Sequence, residues 1–275
     1  MKAVRGSVSI FFIVVLIALG GTLLVGGIFP KDPTLTSPTH EAVPDPRLSY
    51  EEKKSLQLET FPFKECANIA AVDFLLDNSG SMNNGSKLED LKSGVKAFVA
   101  NYPDNGIIGV QAYNEPGKIS PEGYKELVPI SKYADVKVNI NNIIDGMRAN
   151  GFTYSKNAMS FVKQRLEEAK AKFPEYNFNL IFISDGVPET AASDLACGRR
   201  CLAQEQNPEI VASEIKNLGI RIFSLAYLDD SDASLSNQLR ALMINVASSP
   251  EDFFVAPVSN QIEEILAQIG QKFCE

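Results

Sequence analysis

Residues 68–81 read NIAAVDFLLDNSGS, an apolar run that ends abruptly in a polar loop. The run is short, dense in apolar residues and bounded by turn formers, which predicts a buried strand of a parallel sheet. The loop after it carries oxygen-bearing side chains at alternate positions, Asp77, Ser79 and Ser81. Ligands of open α/β sheets bind beyond the carboxyl ends of the strands, and hard oxygens suit Mg²⁺, Mn²⁺ or Ca²⁺. The stretch therefore predicts a divalent-cation site where this strand ends.

Two later segments supply matching polar groups. Thr153 stands just before a predicted helix, and a second apolar strand, residues 178–184, is followed directly by Asp185 and Gly186. Two carboxylates that meet at one sheet edge repel each other unless a cation offsets their charge. The alternative is that the first loop is only a turn and a helix cap, because Asp and Ser are common at both.

The residues around Ser79 and Ser81 bear on that alternative. Gly80 is expected to let the backbone turn tightly, so that the side chains on either side of it face one point. Residues 82–86 have the composition of a continuing loop, so no helix is expected to begin where a cap would be needed.

The D-x-S-x-S loop, the later Thr153 and the Asp-Gly turn at Asp185 together resemble the metal-ion-dependent adhesion site of von Willebrand factor type A domains. The resemblance extends from about residue 68 to the C-terminus. It implies that Ser79, Ser81 and Thr153 bind a divalent cation directly, with Mg²⁺ preferred over Mn²⁺ or Ca²⁺. It implies that Asp77 and Asp185 act directly or through water, and that an acidic side chain of a protein partner fills an open coordination position.

The remainder of the chain predicts an α/β fold with a Rossmann-like, doubly wound, mostly parallel six-stranded sheet and helices on both faces. A Pro- and Gly-bearing turn before the third strand indicates a hairpin at one edge. The predicted strands are residues 69–76, 107–113, 126–130, 178–184, 220–228 and 252–256. The predicted helices are residues 87–102, 136–147, 155–172, 208–218, 235–247 and 262–273. Residues 190–206 form an insertion at the ligand-facing edge and are expected to contact the partner.

Residues 7–29 form an uncharged apolar segment that follows Lys2 and Arg5. Its length exceeds the about 20 residues that span a bilayer, whereas the core of a cleaved signal peptide has only about 7–15. Positive charge on the short N-terminal side predicts a cytoplasmic N-terminus and export of the remainder. We therefore expect a single-pass cell-membrane protein with an anchor at 1–29, a proline-rich linker at 30–65 and an extracytoplasmic domain at 66–275.

Two other interpretations of the N-terminus remain open. In the first, the apolar segment is a signal peptide that is removed from the mature chain. In the second, the sequence from Arg5 to Val8 is similar to pilin-type leaders, which are cut after a glycine, although Phe11 stands where these leaders usually carry Glu. The chain would then be a structural or minor component of a pilus or secretion assembly, with its apolar helix packed into a fibre.

Composition argues against several classes of function. The net charge of −8, with no cluster of basic residues beyond residues 199–200, argues against nucleic-acid binding. The single histidine, His40, lies in the linker, so the domain cannot form a Ser-His-Asp or Cys-His catalytic site. No strand is followed by a Gly-rich dinucleotide or phosphate-binding motif, so no nucleotide is expected. We expect a binding protein rather than an enzyme, and the alternative is a metal-dependent hydrolase that uses Asp77 and Asp185.

The chain has four cysteines, and an even number in an exported protein predicts disulfides. Cys66 and Cys274 stand near the two ends of the predicted domain, which often lie close together, so we predict a bond between them. Some von Willebrand factor type A domains have this arrangement. Cys197 and Cys201 are predicted to pair locally. The alternatives are four free thiols in a reducing compartment, or a metal site at the C-x₃-C pair.

Overall fold

A computed structural model describes residues 70–197, 202–228, 232–256 and 261–274 of the 275-residue chain. Within these residues the strands are β1 Ala70–Asp77, β2 Ile107–Tyr113, β3 Tyr124–Lys132, β4 Asn177–Ser184, β5 Arg221–Tyr227 and β6 Phe253–Ala256. The helices are α1 Lys87–Ala100, α2 Tyr133–Asp145, α3 Ser155–Lys172, α4 Ala191–Cys197, α5 Glu209–Asn217, α6 Ala233–Val246 and α7 Ile262–Gln271. Every predicted strand and helix is present, and α4 is an additional helix inside the predicted insertion.

The six strands form one sheet in the order β3-β2-β1-β4-β5-β6. All neighbouring strands are parallel except β2 and β3, which pair antiparallel. The sheet is therefore mixed, with its antiparallel hairpin at one edge, as the turn before the third strand predicts. The predicted third strand, 126–130, is too short, since β3 runs from Tyr124 to Lys132.

Helices cover both faces of the sheet. Along the buried strand β1, Phe74 packs on the face covered by α1, α2 and α7, whereas Leu75 packs on the face covered by α3, α5 and α6. Successive side chains of a strand point to opposite faces, so a strand covered on both sides is apolar along its whole length. Burying each large apolar side chain contributes about 1.5–3 kcal/mol.

The central pair of strands positions the candidate site. β1 lies between β2 and β4, and its parallel pairing with β4 places Leu76 opposite Ile183. The chain leaves β1 through α1 to reach β2 on one side, and it reaches β4 on the other side through α3. Asp77 and Asp185 therefore stand together where the strand order reverses, which is the usual ligand-binding crevice of such sheets.

Several predictions concern residues outside this description. The apolar segment 7–29, the linker 30–65, Cys66 and Cys201 all lie outside the described residues, as do the side chains of Cys197 and Cys274. Both disulfide pairings therefore remain predictions. Within the part of the chain that is described, no helix is long and apolar enough to cross a membrane.

Candidate metal centre

The loop after β1 begins with a short 3₁₀ turn, and the loop expected for residues 82–86 is present only at residues 84–86. This turn spans Gly80–Asn83 and is anchored by Met82, which is fully buried. Ser79 occupies the capping position, yet its side chain makes no capping hydrogen bond. The hydroxyl of Ser79 is therefore available for a role other than a helix cap.

Three separate loops meet at the end of β1. The Gly80 amide donates to the Gly151 carbonyl at 2.8 Å, and the Asn150 amide donates to the Asn78 carbonyl at 2.8 Å, so the first two loops are joined by their backbones. The Glu189 amide donates to the Thr153 carbonyl at 3.0 Å, which joins the second loop to the third. A rigid backbone frame thus holds the predicted site residues at one rim of the sheet.

Within this frame the side-chain oxygens approach each other. Ser79 Oγ lies 3.1 Å from Ser81 Oγ, and Ser81 Oγ donates to Asp185 Oδ1 at 2.6 Å. Thr153 Oγ1 lies 4.0 Å from the position that a Cβ atom on Gly186 would take, beside the Asp185 turn. We call Asp77, Ser79, Ser81, Thr153 and Asp185 the oxygen cluster.

A cavity of about 270 Å³ opens beside the oxygen cluster. Ser81 and Thr153 both line it, so these two hydroxyl-bearing residues face one space although they come from different loops. Three charged side chains stand around the same cavity, Glu115, Lys118 and Glu189. The cavity lining therefore combines charged side chains with hydroxyl groups.

Asp77 is fully buried but well supplied with hydrogen-bond donors. Its Oδ1 accepts from the Ser79 amide at 2.8 Å, and its Oδ2 accepts from the hydroxyls of Tyr113 at 3.2 Å and Ser184 at 2.6 Å. Burial, followed by the charge of Asp185, raises the pKa of Asp77 to about 6, and the hydrogen bonds from Ser184 and Ser79 oppose that rise. The Asp77 carboxylate is consequently ionised at neutral pH. A positive charge nearby would stabilise it.

Sequence reasoning missed three residues that complete this arrangement. Tyr113 and Ser184 hold Asp77, and Lys87 forms a 2.8 Å ion pair with Asp185 Oδ2. Tyr113 and Ser184 are the last residues of β2 and β4. Their positions at the carboxyl ends of strands could have identified them as site residues from the sequence. Lys87 is the first residue of α1, where the helix dipole disfavours a positive charge, and that mismatch was a signal as well.

The glycine that the loop geometry requires is Gly151, not Gly80. Gly151 has a φ of +73°, and a Cβ there would lie 2.8 Å from Glu115 Cβ. Gly80 does not adopt a positive φ, and a Cβ there would make only an ordinary 3.4 Å contact with the Gly151 carbonyl. The expectation that Gly80 allows a tight turn is therefore wrong, because a 3₁₀ turn brings Ser79 and Ser81 together without a left-handed residue.

The described parts of residues 190–206 contact the two segments that follow Asp185 and Thr153 in the chain. The Ala203 amide donates to the Pro188 carbonyl at 2.8 Å, and Gln206 Nε2 donates to Asn157 Oδ1 at 3.3 Å near the start of α3. Leu195 on α4 is 88% exposed, so its side chain is available for contact with another molecule.

The residues of the oxygen cluster fit a hard divalent cation. The donors are two carboxylates and three hydroxyls, with Asp77, Ser79 and Thr153 each at most 3% exposed. Two residues after Thr153, Ser155 Oγ is buried and has no hydrogen-bond partner among the described residues, so it could bind a polar ligand. Oxygen donors of this kind select Mg²⁺, Mn²⁺ or Ca²⁺ over metals that prefer thiolate.

Comparison with solved structures shows the same fold in proteins of low sequence identity. The pilus adhesin SpaC from Lactobacillus rhamnosus GG is 19% identical, with a TM-score of 0.59, over 75% of this chain and 31% of that chain. Proximal thread matrix protein 1 from the mussel byssus, with a zinc-occupied MIDAS motif, is 20% identical, with a TM-score of 0.53, over 76% of this chain and 46% of that chain. A variant of the PilB minor pilin from Streptococcus sanguinis is 12% identical, with a TM-score of 0.53, over 74% of this chain and 61% of that chain.

This chain thus spans about a third of the pilus adhesin and less than half of the mussel protein. No curated protein sequence matches the chain significantly. The family profile of the von Willebrand factor type A domain matches residues 72–268, which include every strand of the sheet except the first two residues of β1. The chain belongs to the von Willebrand factor type A family.

Proposed function

We propose that this von Willebrand factor type A domain binds a protein partner through a divalent cation held by the oxygen cluster. The observation that carries the proposal is that Ser81 and Thr153, from different loops, line one cavity, and that Ser81 also donates to Asp185 of a third loop. Ser79, Ser81 and Thr153 would hold the cation directly, and Asp77 and Asp185 would supply negative charge directly or through water. The cation would give the site an electrophilic position for an acidic side chain of the partner.

The role of the chain's own residues follows from their contacts. Tyr113 and Ser184 hold Asp77 in place, because each donates to its Oδ2 atom, and the hydrogen bond from Ser184 also opposes the rise in the pKa of Asp77. Burial raises the pKa of Tyr113 well above 10, with a further contribution from the charge of Asp77, so Tyr113 remains a hydrogen-bond donor at all physiological pH values. A fixed, ionised Asp77 beside Asp185 favours cation binding, and this supports a binding role for the site.

We place this function at a cell surface, with the domain exported and tethered by residues 7–29. The role would be adhesion or assembly of a surface structure. The second candidate is a structural part of a pilus or secretion assembly, and it is favoured by the similarity of the fold to a pilus adhesin and a minor pilin. Recovery of the chain in sheared fibres would indicate the second candidate, whereas retention as a membrane monomer would indicate the first.

The test is a pull-down of surface proteins by the full-length chain in mild detergent, with Mg²⁺ or with EDTA. We expect partner capture in Mg²⁺ and its loss in EDTA, and we expect Thr153→Ala to lose capture in both. Ser224→Ala is the matched control, because Ser224 is equally buried but its hydroxyl donates to the Met243 carbonyl instead of contacting the cluster. Undiminished capture in EDTA would rule out a cation-dependent interface.

We assign part of the partner specificity to the segment around Leu195. An exposed leucine beside a polar site can contribute apolar contact to an interface core. Leu195→Ala is expected to weaken capture in Mg²⁺, whereas Val138→Ala, a substitution of an 81% exposed residue on α2, is expected to leave it unchanged. Equal capture by both variants would remove Leu195 from the interface.

A further inference from the structure

The ion pair between Lys87 and Asp185 differs from the other lysine pairs of the described residues. The Lys87 ammonium lies 2.8 Å from Asp185 Oδ2, and the Asp185 side chain is fully buried. In every other lysine pair among the described residues, the carboxylate side chain is at least 45% exposed. Exposed pairs contribute little because water screens them, whereas a charge pair at a buried carboxylate interacts strongly.

The Lys87 ammonium is also close enough to solvent to move away from Asp185. Its side chain is 20% exposed, so the ammonium stands at the edge of the site with water on one side. It sits at the first position of α1, where the helix dipole repels a positive charge, so Asp185 is what holds it in place. The backbone at this position is fixed separately, because the Tyr227 hydroxyl donates to the Lys87 carbonyl at 3.3 Å.

We propose that Lys87 is an internal counter-cation that competes with the divalent cation for Asp185. In the cation-free domain the ammonium neutralises the buried carboxylate, and when a divalent cation is bound the ammonium releases Oδ2 and turns to solvent. This inference rests on the proposed function. It makes Lys87 a positioning residue that sets the cation concentration at which the adhesive site becomes active.

If Lys87 competes with the cation, removing its ammonium should raise the affinity for the cation and lower the stability of the cation-free domain. Removing the ammonium takes a positive charge away from the cation site, so the divalent cation should bind at least about tenfold more tightly. The same change leaves Asp185 buried without a counter-charge in the cation-free domain, so that state should unfold at a lower temperature. A merely structural lysine would lower the unfolding temperature without improving cation affinity.

The experiment measures Mn²⁺ binding to the full-length chain in mild detergent by calorimetry, together with thermal unfolding in EDTA. Lys87→Met removes the charge and keeps the length of the side chain. The matched control is Lys96→Met on the same helix, because Lys96 pairs with the exposed Asp145 away from the cluster. We expect Lys87→Met alone to bind Mn²⁺ at least about tenfold more tightly and to unfold at a lower temperature in EDTA.

A second measurement needs no variant. Amine-selective acylation of the wild-type chain, read by mass spectrometry, should modify Lys87 several-fold faster with Mn²⁺ than with EDTA, while Lys96 reacts equally in both. Wild-type binding of Mn²⁺ with equal or weaker binding by Lys87→Met, or with unchanged Lys87 acylation, would overturn the competition and leave the proposed function intact. Absence of Mn²⁺ binding in both proteins would overturn the proposed function and this inference together. Binding by Lys87→Met alone would show that the lysine blocks the site.

Discussion

Strand β1 carries two buried aspartates, Asp73 and Asp77, and their pKa values differ. Asp73 in the middle of the strand is 1% exposed, and Asp77 at its end is 0% exposed. Burial raises the pKa of Asp73 to about 8, although a hydrogen bond from Gln111 lowers it in part. Burial and the charge of Asp185 raise the pKa of Asp77 only to about 6, because hydrogen bonds from Ser184 and Ser79 oppose the rise.

The difference lies in the donors that surround each carboxyl group. Asp73 Oδ1 accepts one hydrogen bond, from Gln111 at 3.2 Å, and Asp73 Oδ2 has no partner among the described residues. Asp77 accepts three hydrogen bonds, one from a backbone amide and two from hydroxyls. Equal burial therefore gives a neutral acid at one position and a carboxylate at the other, so the local donors decide which aspartate can attract a cation.

The largest expected effect follows from removing the charge of Asp77. Asp77→Asn keeps the size of the side chain but loses the negative charge, so we expect Mn²⁺ affinity to fall by about 100-fold or more. Asp73→Asn should leave the affinity unchanged, because Asp73 is already neutral at pH 7. Calorimetric titration of both variants measures the contrast, and equal losses in the two would contradict the distinction between the aspartates.

Asp73 should instead control the pH dependence of stability. Its proton stays bound in the native state up to about pH 8 but leaves the unfolded chain near its usual pKa of 3.8. Stability from this group is therefore complete below about pH 4 and falls as pH rises toward 8, by about 1.4 kcal/mol per pH unit. Urea unfolding in EDTA at pH 5, 6 and 7 should show a steeper slope in the wild type than in Asp73→Asn, by this amount, because the contribution of Asp77 is common to both proteins. Equal slopes in the two proteins would contradict the assignment.

Protons should compete with the cation at Asp77. Because the pKa of Asp77 is about 6, lowering the pH from 7 to 5 protonates it and should weaken Mn²⁺ binding about tenfold. Above pH 7 the affinity should level off, since the carboxylate is then fully ionised. Titrations across this range measure the effect, and an affinity that is constant from pH 5 to 7 would exclude Asp77 from the cation site.

The smallest expected effect comes from removing one hydrogen-bond donor to Asp77, which makes the surroundings of Asp77 more like those of Asp73. Ser184→Ala removes one of the three donors to Asp77, so its pKa should rise further. We expect Mn²⁺ affinity at pH 6.5 to fall several-fold and to recover by pH 8, where the carboxylate is ionised again. The control is Ser224→Ala on β5, because the Ser224 hydroxyl donates to the Met243 carbonyl instead. A loss that persists at pH 8 would point to structural damage.

Much of the fold follows from local sequence patterns. The apolar run before Asp77 and the Asp-Gly turn at Asp185 indicate where two buried strands end, and parallel pairing then places those ends side by side. The Pro- and Gly-bearing turn indicates the antiparallel edge. Hydrophobic periodicity located the helices, and their ends differ from prediction by only a few residues because terminal turns lack a strong apolar pattern.

The sequence could not supply the contacts that decide the chemistry of the site. Lys87 pairs with a residue 98 positions away, and Ser184 donates to a residue 107 positions away, so neither contact leaves a local pattern. Asp73 reads as part of an apolar strand, and only its surroundings show that it is neutral. The short helix α4 also escaped prediction, since its composition of small and polar residues has no apolar period.

Anomalous diffraction from crystals of the protein grown with Mn²⁺ tests most directly whether the oxygen cluster binds a cation. We predict one Mn²⁺ peak within coordinating distance of the hydroxyls of Ser79, Ser81 and Thr153, with Asp77 and Asp185 beside it. Crystals at saturating Mn²⁺ with no peak at these hydroxyls, and with Ser81 still donating to Asp185, would contradict it.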